Sequence, residues 1–429
     1  MTRANTSTCG LLILWLLSNL ATPLSAQQTT PPTAPDATAT LSESEAAAVR
    51  PSHAAVAAVS DWDLYAGGIY SNTSPLWVQA DYLLWWLNGA DMPALVTTSP
   101  SGTSRDNAGV LGAPGTEILF GGDQYGDAAR SGFHTALGVR LGHWFDRFMA
   151  SELQFDYLWI GDGQAGDYET STPQHAILGR PFWNSELGQQ DAQLVSYPGV
   201  AEGGIWVETD SDFRSAGVIF RQGWLFGDGG RLEWLAGYRY LQLQEDLFVD
   251  ELVTSTDPGG LVPAGTVFEI HDEFRVSNEF HGGDIGLQWW SCLHGWNLEV
   301  TSKVALGGLT RSADIYGSTL IDVAGGPTIQ TAGGLLALPT NMGSHESCRF
   351  VAVPELNVKV RRQLSRFFVL TLGYSVLFVD QVARVGDAVD LAVNPSQLNG
   401  GILTGEPRPT YALRGSQLWL HGLQVGLEW

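Results

Sequence analysis

Outside its N-terminus the chain has no uninterrupted apolar run approaching the ~20 residues that a transmembrane helix requires. A membrane role would therefore rest on strands, the other arrangement that satisfies its own backbone polar groups in lipid. Charge is scarce as well: 16% of residues are charged, and 22 Lys plus Arg face 45 Asp plus Glu, for a formal net charge of -23. An acidic chain without a basic patch is a poor partner for nucleic acid. There is no phosphate-binding loop, no dinucleotide fingerprint and no G-x-S-x-G nucleophile elbow, and no cofactor is expected. Cysteine is limited to three residues. Cys9 precedes the N-terminal apolar run, the wrong side for lipid attachment after cleavage, which leaves Cys292 and Cys348 as disulfide candidates.

What the chain does have is glycine (51) and tryptophan (16), at neutral mean hydropathy. That profile suits one large β structure. Arg3, the apolar stretch Leu11 to Leu20 and Leu24-Ser25-Ala26 read as an export signal over residues 1–26. Residues 27–60 are rich in Thr, Pro and Ala, too poor in large apolar groups to build a core, and read as a flexible linker. Residues 61–429 are assigned to a barrel. Its signature is clearest at the end, where Trp419, His421, Leu423, Val425, Leu427 and Trp429 alternate with Leu420, Gly422, Gln424, Gly426 and Glu428, the period of a strand with lipid on one face and a lumen on the other.

About ten such segments follow from Leu76, each long enough for the ~9 to 11 residues that cross a bilayer. Five long connections alternate with four short ones, which puts the long loops outside and both termini in the periplasm. Trp144, Trp224, Trp234, Trp289, Trp296, Phe367 and Trp429 fall at short-turn ends, and Trp85, Trp86 and Trp159 at long-loop ends, as two aromatic girdles would. The expectation is an all-β chain: a single closed antiparallel transmembrane β-barrel of about ten strands in a bacterial outer membrane. Glu117 to Phe120 and Ile205 to Glu208 leave a count of twelve open. Strand six changes phase between Phe274/Val276 and Ile285/Leu287/Trp289, requiring a bulge or an extension beyond the membrane, and Pro354 removes a ladder donor in strand eight. Cys292 and Cys348 fall at opposite ends of the barrel, so they are not expected to pair with one another.

Several runs also carry a family resemblance: Trp77-Val78-Gln79-Ala80-Asp81-Tyr82-Leu83-Leu84-Trp85-Trp86-Leu87, Leu95-Val96-Thr97-Thr98-Ser99, Gly115-Thr116-Glu117-Ile118-Leu119-Phe120-Gly121-Gly122, Leu235-Ala236-Gly237-Tyr238-Arg239-Tyr240-Leu241, Gly373-Tyr374-Ser375-Val376-Leu377-Phe378 and Val393-Asn394-Pro395-Ser396-Gln397-Leu398. In this order they resemble the planctomycete family of outer-membrane beta-barrel porins of type seven. The resemblance implies fold and location, and brings no catalytic or binding residue with it.

The chemistry-bearing residues are few. Pairing strands two and three about a turn near Phe145 sets His134 opposite Asp156 at the outer mouth, similar to the arrangement in outer-membrane proteases of the omptin type; the alternative is a structural pair that fills the lumen. The same register puts Arg140 diagonal to Glu152, and the turn between strands six and seven brings Asp284 near Lys303. His281-Gly282-Gly283-Asp284 is similar to the oxyanion strand of esterases but has no nucleophile to serve. The Asp/Gly runs 121–127 and 161–167 lack the spacing of a calcium loop, and His271-Asp272-Glu273 alternates across a strand and cannot converge on a metal, so no metal site is assigned.

Inward positions are Gln79, Asp81, Arg140, Glu152, Asp156, Glu233, Arg239, Asp284, Glu299, Lys303, Glu355 and Lys359. Ten strands lie near the filled end of the size range, so these groups should cross-link a narrow lumen. Gly138, Gly237, Gly286 and Gly373 could leave a thin water path along one wall. Most of the negative charge lies in the long outer loops. That mouth either attracts cations, with divalent ions bridging to anionic lipid, or only keeps the surface soluble. The expected partners are outer-membrane lipid and, through the strand ending at Trp429, the barrel-assembly machinery. The expected function is an envelope barrel, not an enzyme, with at most narrow, cation-favouring permeation; the alternative is a hydrolase using His134 and Asp156.

Overall fold

The computed structural model describes residues 74–429 apart from 144–150, 162–164, 171, 173–174 and 228–229. The export signal and linker, residues 1–60, lie outside the described residues, as do 61–73, Trp144 and parts of the turn after strand two and of the 161–167 run. Ten strands form one antiparallel hydrogen-bonded ring: β1 (Leu76–Leu87), β2 (Ala129–Arg140), β3 (Ser151–Ile160), β4 (Ala201–Gly227), β5 (Gly230–Ser255), β6 (Val267–Leu293), β7 (Trp296–Asp322), β8 (Gly343–Gln363), β9 (Val369–Val382) and β10 (Ser416–Glu428). Each pairs with its sequence neighbours, and β10 returns to β1 with Glu428 opposite Gln79 and Leu420 opposite Leu87. The segments that left twelve strands open add none to the ring: Glu117–Phe120 belongs to a separate sheet, and 205–208 is part of β4.

The register fixes the tilt. Followed one way around from Asp81 it passes His134, Leu158, Ser215 and Leu241 to Phe280; the other way it passes Gly426, Thr371, Arg361 and Asn297 to Cys292. The two routes meet β6 twelve residues apart, a stagger in keeping with strands tilted by roughly 35–45°.

Facing follows the solvent on each side. On β10, Trp419, Leu423, Val425, Leu427 and Trp429 stand exposed, while Leu418, Leu420, Gln424 and Glu428 are buried. The strands β4 to β7 are 26 or 27 residues long, more than twice what a bilayer crossing needs. Strand six keeps an unbroken register with both neighbours, so its phase change is no bulge. Phe274 and Val276 point inward like Asp284 and Gln288, while Ile285, Leu287 and Trp289 point outward. What inverts is the polarity of each face. Within the bilayer lipid lies outside; beyond it water lies outside and protein inside, so the apolar residues change sides.

That protein is the outer loops. Segments Leu178–Asn184, Gln189–Ser196, Val96–Thr98, Glu117–Phe120 and Ala392–Val393 form a five-stranded sheet of their own. Its Val96, Leu178, Phe182 and Val195 pack with the wall residues Val207, Val249, Phe274 and Ile315 and with Leu335 to Leu338 from the loop after β7. The loops thus form a cap whose core is continuous with the inner face of the extended wall.

Trp86 faces outward and stacks on His421, with ring centroids 5.9 Å apart, whereas Trp85 is 3% exposed and points inward, so it is no girdle residue. Cys292 is a free, exposed thiol near the β6–β7 turn, so Cys292 and Cys348 do not pair with each other. The ladder from β8 to β9 ends at Glu355 opposite Leu377, immediately after Pro354, which has no N–H to donate.

Candidate functional site

The lumen is stratified. Its lowest level, toward the short turns, is a charged network. Arg140 stands directly opposite Glu152, not diagonal to it, with 4.0 Å between Nε and Oε2. Glu152 also accepts from Trp77 Nε1 at 3.0 Å and from Arg221 at 3.3 Å. Glu233 pairs with Arg231 at 2.5 Å and accepts from Trp290 Nε1 at 3.3 Å. Arg361 bonds Glu428 and lies 3.5 Å from Glu299.

One level higher, Arg239 holds Asp284 at 2.9 Å and Glu355 at 2.6 Å, and Lys303 reaches Glu355 at 3.3 Å. Asp284 is therefore the partner of Arg239 and not of Lys303; the register sets it opposite Ala305. Gln79 donates to Asp81 at 2.6 Å, and Thr371 Oγ1 donates to Asp81 at 2.8 Å. Lys359 lines a cavity of about 80 Å³ shared with Asp156, Lys303 and Glu355. The glycines leave no path along the wall at two of the four positions where one was expected: a Cβ at Gly138 would stand 1.9 Å from the Trp77 ring, and one at Gly373 would stand 2.4 Å from the Gln424 amide.

His134 is not opposite Asp156. It stands opposite Leu158, and Asp156 stands opposite Ala136. The register between β2 and β3 depends on the length of the intervening turn, and a shift of two positions separates the pair. His134 Nδ1 instead lies 2.9 Å from Asp81 Oδ2 on β1, where the two are direct cross-strand neighbours. Asp156 accepts from Gln154 Nε2 at 3.3 Å. The catalytic dyad suggested by the sequence is thus not assembled.

Directly above this network lies a feature that the sequence reading missed. Leu83, Phe213, Leu241, Phe280, Leu309 and Leu420, each at most 1% exposed, belong to one apolar cluster drawn from nine of the ten strands, β2 alone contributing none. They share the inward parity of the polar residues below them. Leu83 and Trp85 continue the face of Gln79 and Asp81, for example, and that continuity was the available signal. The cluster forms an apolar layer inside the ring, within which the Trp85 indole N–H is buried without a hydrogen-bond partner.

The cap is clipped onto this layer from above. Arg384 donates to Glu245 at 2.9 Å, the N–H of Val385 donates to the same carboxylate at 3.0 Å, and Asn278 exchanges two hydrogen bonds with the backbone of Ala383 at 2.8 and 2.7 Å. Higher still, Arg180, 1% exposed, bonds Glu251 at 2.5 Å and Asp272 at 2.7 Å. Asp272 also accepts from the N–H groups of Leu335, Leu336 and Ala337 at 3.2, 3.2 and 2.8 Å. Burial opposes the charge on Arg180, but the two carboxylates outweigh it and raise its pKa. The flanking His271 and Glu273 point outward, away from Asp272. His271 sits 2.6 Å from Asp250 and 3.5 Å from Glu273, and among the described residues no group of His, Cys, Asp and Glu is arranged to hold a metal.

With this geometry in hand, a family model described as Putative beta barrel porin-7 (BBP7) matches residues 77–429. The chain belongs to this family. As a BBP7 porin-family barrel it resides in the bacterial outer membrane. No curated protein matches it. Among solved structures it is similar to the outer membrane protease OmpT from Escherichia coli, at 10% identity and a TM-score of 0.36, covering 83% of this chain and 97% of that one. It is similar also to the translocator domain of the autotransporter NalP from Neisseria meningitidis, at 12% identity and a TM-score of 0.28, covering 88% and 97%. The toluene transporter TodX from Pseudomonas putida follows at 9% identity and a TM-score of 0.23, covering 82% and 90%. These likenesses are too distant to carry residue roles across, and none is carried.

Proposed function

We propose that this BBP7 barrel is an envelope component whose lumen is sealed at rest, so that it is a barrier with at most a narrow permeation route and not a wide general pore. The observation that carries the reading is the apolar layer through Leu83, Phe213, Phe280 and Leu309. An aqueous channel of porin type belongs to about 16 to 18 strands, whereas side chains can fill a lumen near eight. Below the layer the ion pairs of Arg239, Arg361 and Glu152 cross-link the strands. Any residual leak favours cations, because the chain carries a formal charge of -23. Assembly into the membrane runs through β10, whose Trp429 exchanges two backbone hydrogen bonds of 2.9 Å with Val78. The test is liposome swelling in an isosmotic pentose: the refolded barrel is expected to swell liposomes no faster than protein-free controls, and swelling at the rate of a general porin would contradict the proposal.

A further inference from the structure

The barrel wall is incomplete at one place. Beyond the last β8–β9 pair, Glu355 opposite Leu377, β8 continues to Gly343 paired with β7 alone, and β9 continues to Val382 paired with β10 alone. The outer part of the wall is therefore unzipped between β8 and β9. Arg311 on β7 spans the gap: it donates to Ser347 Oγ on β8 at 2.9 and 3.1 Å, to the Gln381 carbonyl on β9 at 3.1 Å and to the Arg414 carbonyl at 3.5 Å. Arg349 and Arg414 beside it are exposed. Among the described residues none of the three arginines forms an ion pair, although the chain has twice as many acids as bases. Tyr411 Oη is buried without a hydrogen-bond partner at the same place, its ring stacked on His345 with centroids 4.1 Å apart.

On the bilayer side of this seam the outer surface is concave. Small outward residues, Ala236, Ser302 and Pro354, form the floor of a groove of about 1010 Å³ flanked by Trp234, Leu287, Leu356, Phe378 and Trp419. That is at the upper end of the roughly 300–1,000 Å³ typical of small-molecule sites, and its lining is apolar. The groove lies in the lipid-facing band, so hydrocarbon is what it meets.

We propose that the seam is a binding site for one anionic lipid, with an acyl chain in the groove at Pro354 and the phosphate at Arg349 and Arg414. Pro354 and Arg349 lie five residues apart on β8, and Arg414 stands across the gap, where its carbonyl meets Arg311; Arg349 shares the alternation of Val351 and Val353 and reaches a headgroup through the unzipped edge. Arginine matches a phosphate through paired N–H donors. A bound headgroup would also neutralise cations that the protein itself leaves unpaired.

The experiment is native mass spectrometry of the refolded full chain. It is presented in detergent with equal amounts of dipalmitoyl phosphatidylglycerol and dipalmitoyl phosphatidylcholine, which share tails and differ in head charge. Wild type is expected to retain one phosphatidylglycerol in preference to phosphatidylcholine by about 10- to 30-fold, the effect of two arginines near an anionic head. Leu356→Trp, which fills the groove from an exposed position, should lose both lipids. Arg349→Glu with Arg414→Glu should lose the preference and keep the tail-dependent adduct. Heat-modified gel migration verifies that each variant is folded. Equal retention of both lipids by wild type, a preference that survives the double Glu variant, or retention unaffected by Leu356→Trp would overturn the site.

Discussion

Replacing Arg180 by alanine should loosen the cap and leave the barrel intact. Arg180 comes from a cap strand and its two carboxylate partners from the wall, Glu251 on β5 and Asp272 on β6, all three buried. Removing one member of a buried charge cluster costs about 3–5 kcal/mol, because the remaining charge is left without compensation. The two acids do not suffer equally. Among the described residues Asp272 keeps three backbone N–H donors, whereas Glu251 keeps the single donor Gln193 Nε2 at 2.9 Å. Most of the penalty therefore falls on Glu251, and a Glu251→Gln change added to Arg180→Met should recover at least half of it. At about 1.4 kcal/mol per decade, the loss corresponds to between about 100- and 4,000-fold in the cap's opening equilibrium. Limited proteolysis of the detergent-folded protein reads that quantity through cleavage in the cap strands. Heat-modified migration reads the barrel separately, and it should not change, because Arg180 contacts none of the lumen network. Wild-type protease resistance in Arg180→Ala, or a loss shared equally by the barrel, would refute the assignment of the triad as the clip between cap and wall.

Three further outcomes follow from other sites. Burial works against the charge on His271, but carboxylates on both ring nitrogens, from Asp250 and Glu273, raise its pKa above the ordinary value. A raised pKa stabilises the folded wall fully below about pH 6.5, the unfolded value, and that stabilisation is lost as pH rises through the folded pKa. Urea midpoints should thus be higher at pH 6 than at pH 8 by the equivalent of about 0.2–1 kcal/mol, the range for partly exposed pairs, and His271→Gln should remove this part of the difference; an unchanged pH dependence in that variant would contradict it. Deleting Leu427 to Trp429 removes the two Trp429–Val78 hydrogen bonds and the Glu428–Arg361 pair, so the fraction migrating as folded barrel should fall sharply, and full assembly of the truncated chain would count against closure through β10. In a Cys348→Ser background Cys292, exposed near a short turn, should react with an impermeant maleimide in cells only after the outer membrane is permeabilised; its labelling in intact cells would invert the topology.

The ring was legible because lipid imposes a strict period of two. Leu418 to Trp429 has its apolar and polar faces where the alternation put them, and the order of long and short connections set the topology. The lumen pairs were less legible. Parity fixes which residues point inward, but partners depend on register, and register depends on turn length; His134 found Asp81 on β1 in place of Asp156 on β3. Arg361 was visible only as part of a basic turn, although counting on by twos from Glu355 and Lys359 places it inside. The apolar layer was hidden by its own composition, since leucine and phenylalanine on the inward face read as lipid contacts out of phase. The cap was hardest to read. It is built from contacts far apart in sequence, such as Arg180 with Glu251 and Asp272, 71 and 92 residues away, and no local periodicity announces them.

The claim that an apolar layer seals the lumen is tested most directly by planar-bilayer recording of wild type beside a Phe280→Ala, Leu309→Ala double variant. The two side chains are wholly buried in the layer, and such truncations typically leave cavities and cost about 2–5 kcal/mol each. Wild type should be silent or show only small steps, and the variant, verified as folded by heat-modified migration, should open discrete conductance. Large steady steps from wild type, or a folded variant as silent as wild type, would contradict the seal.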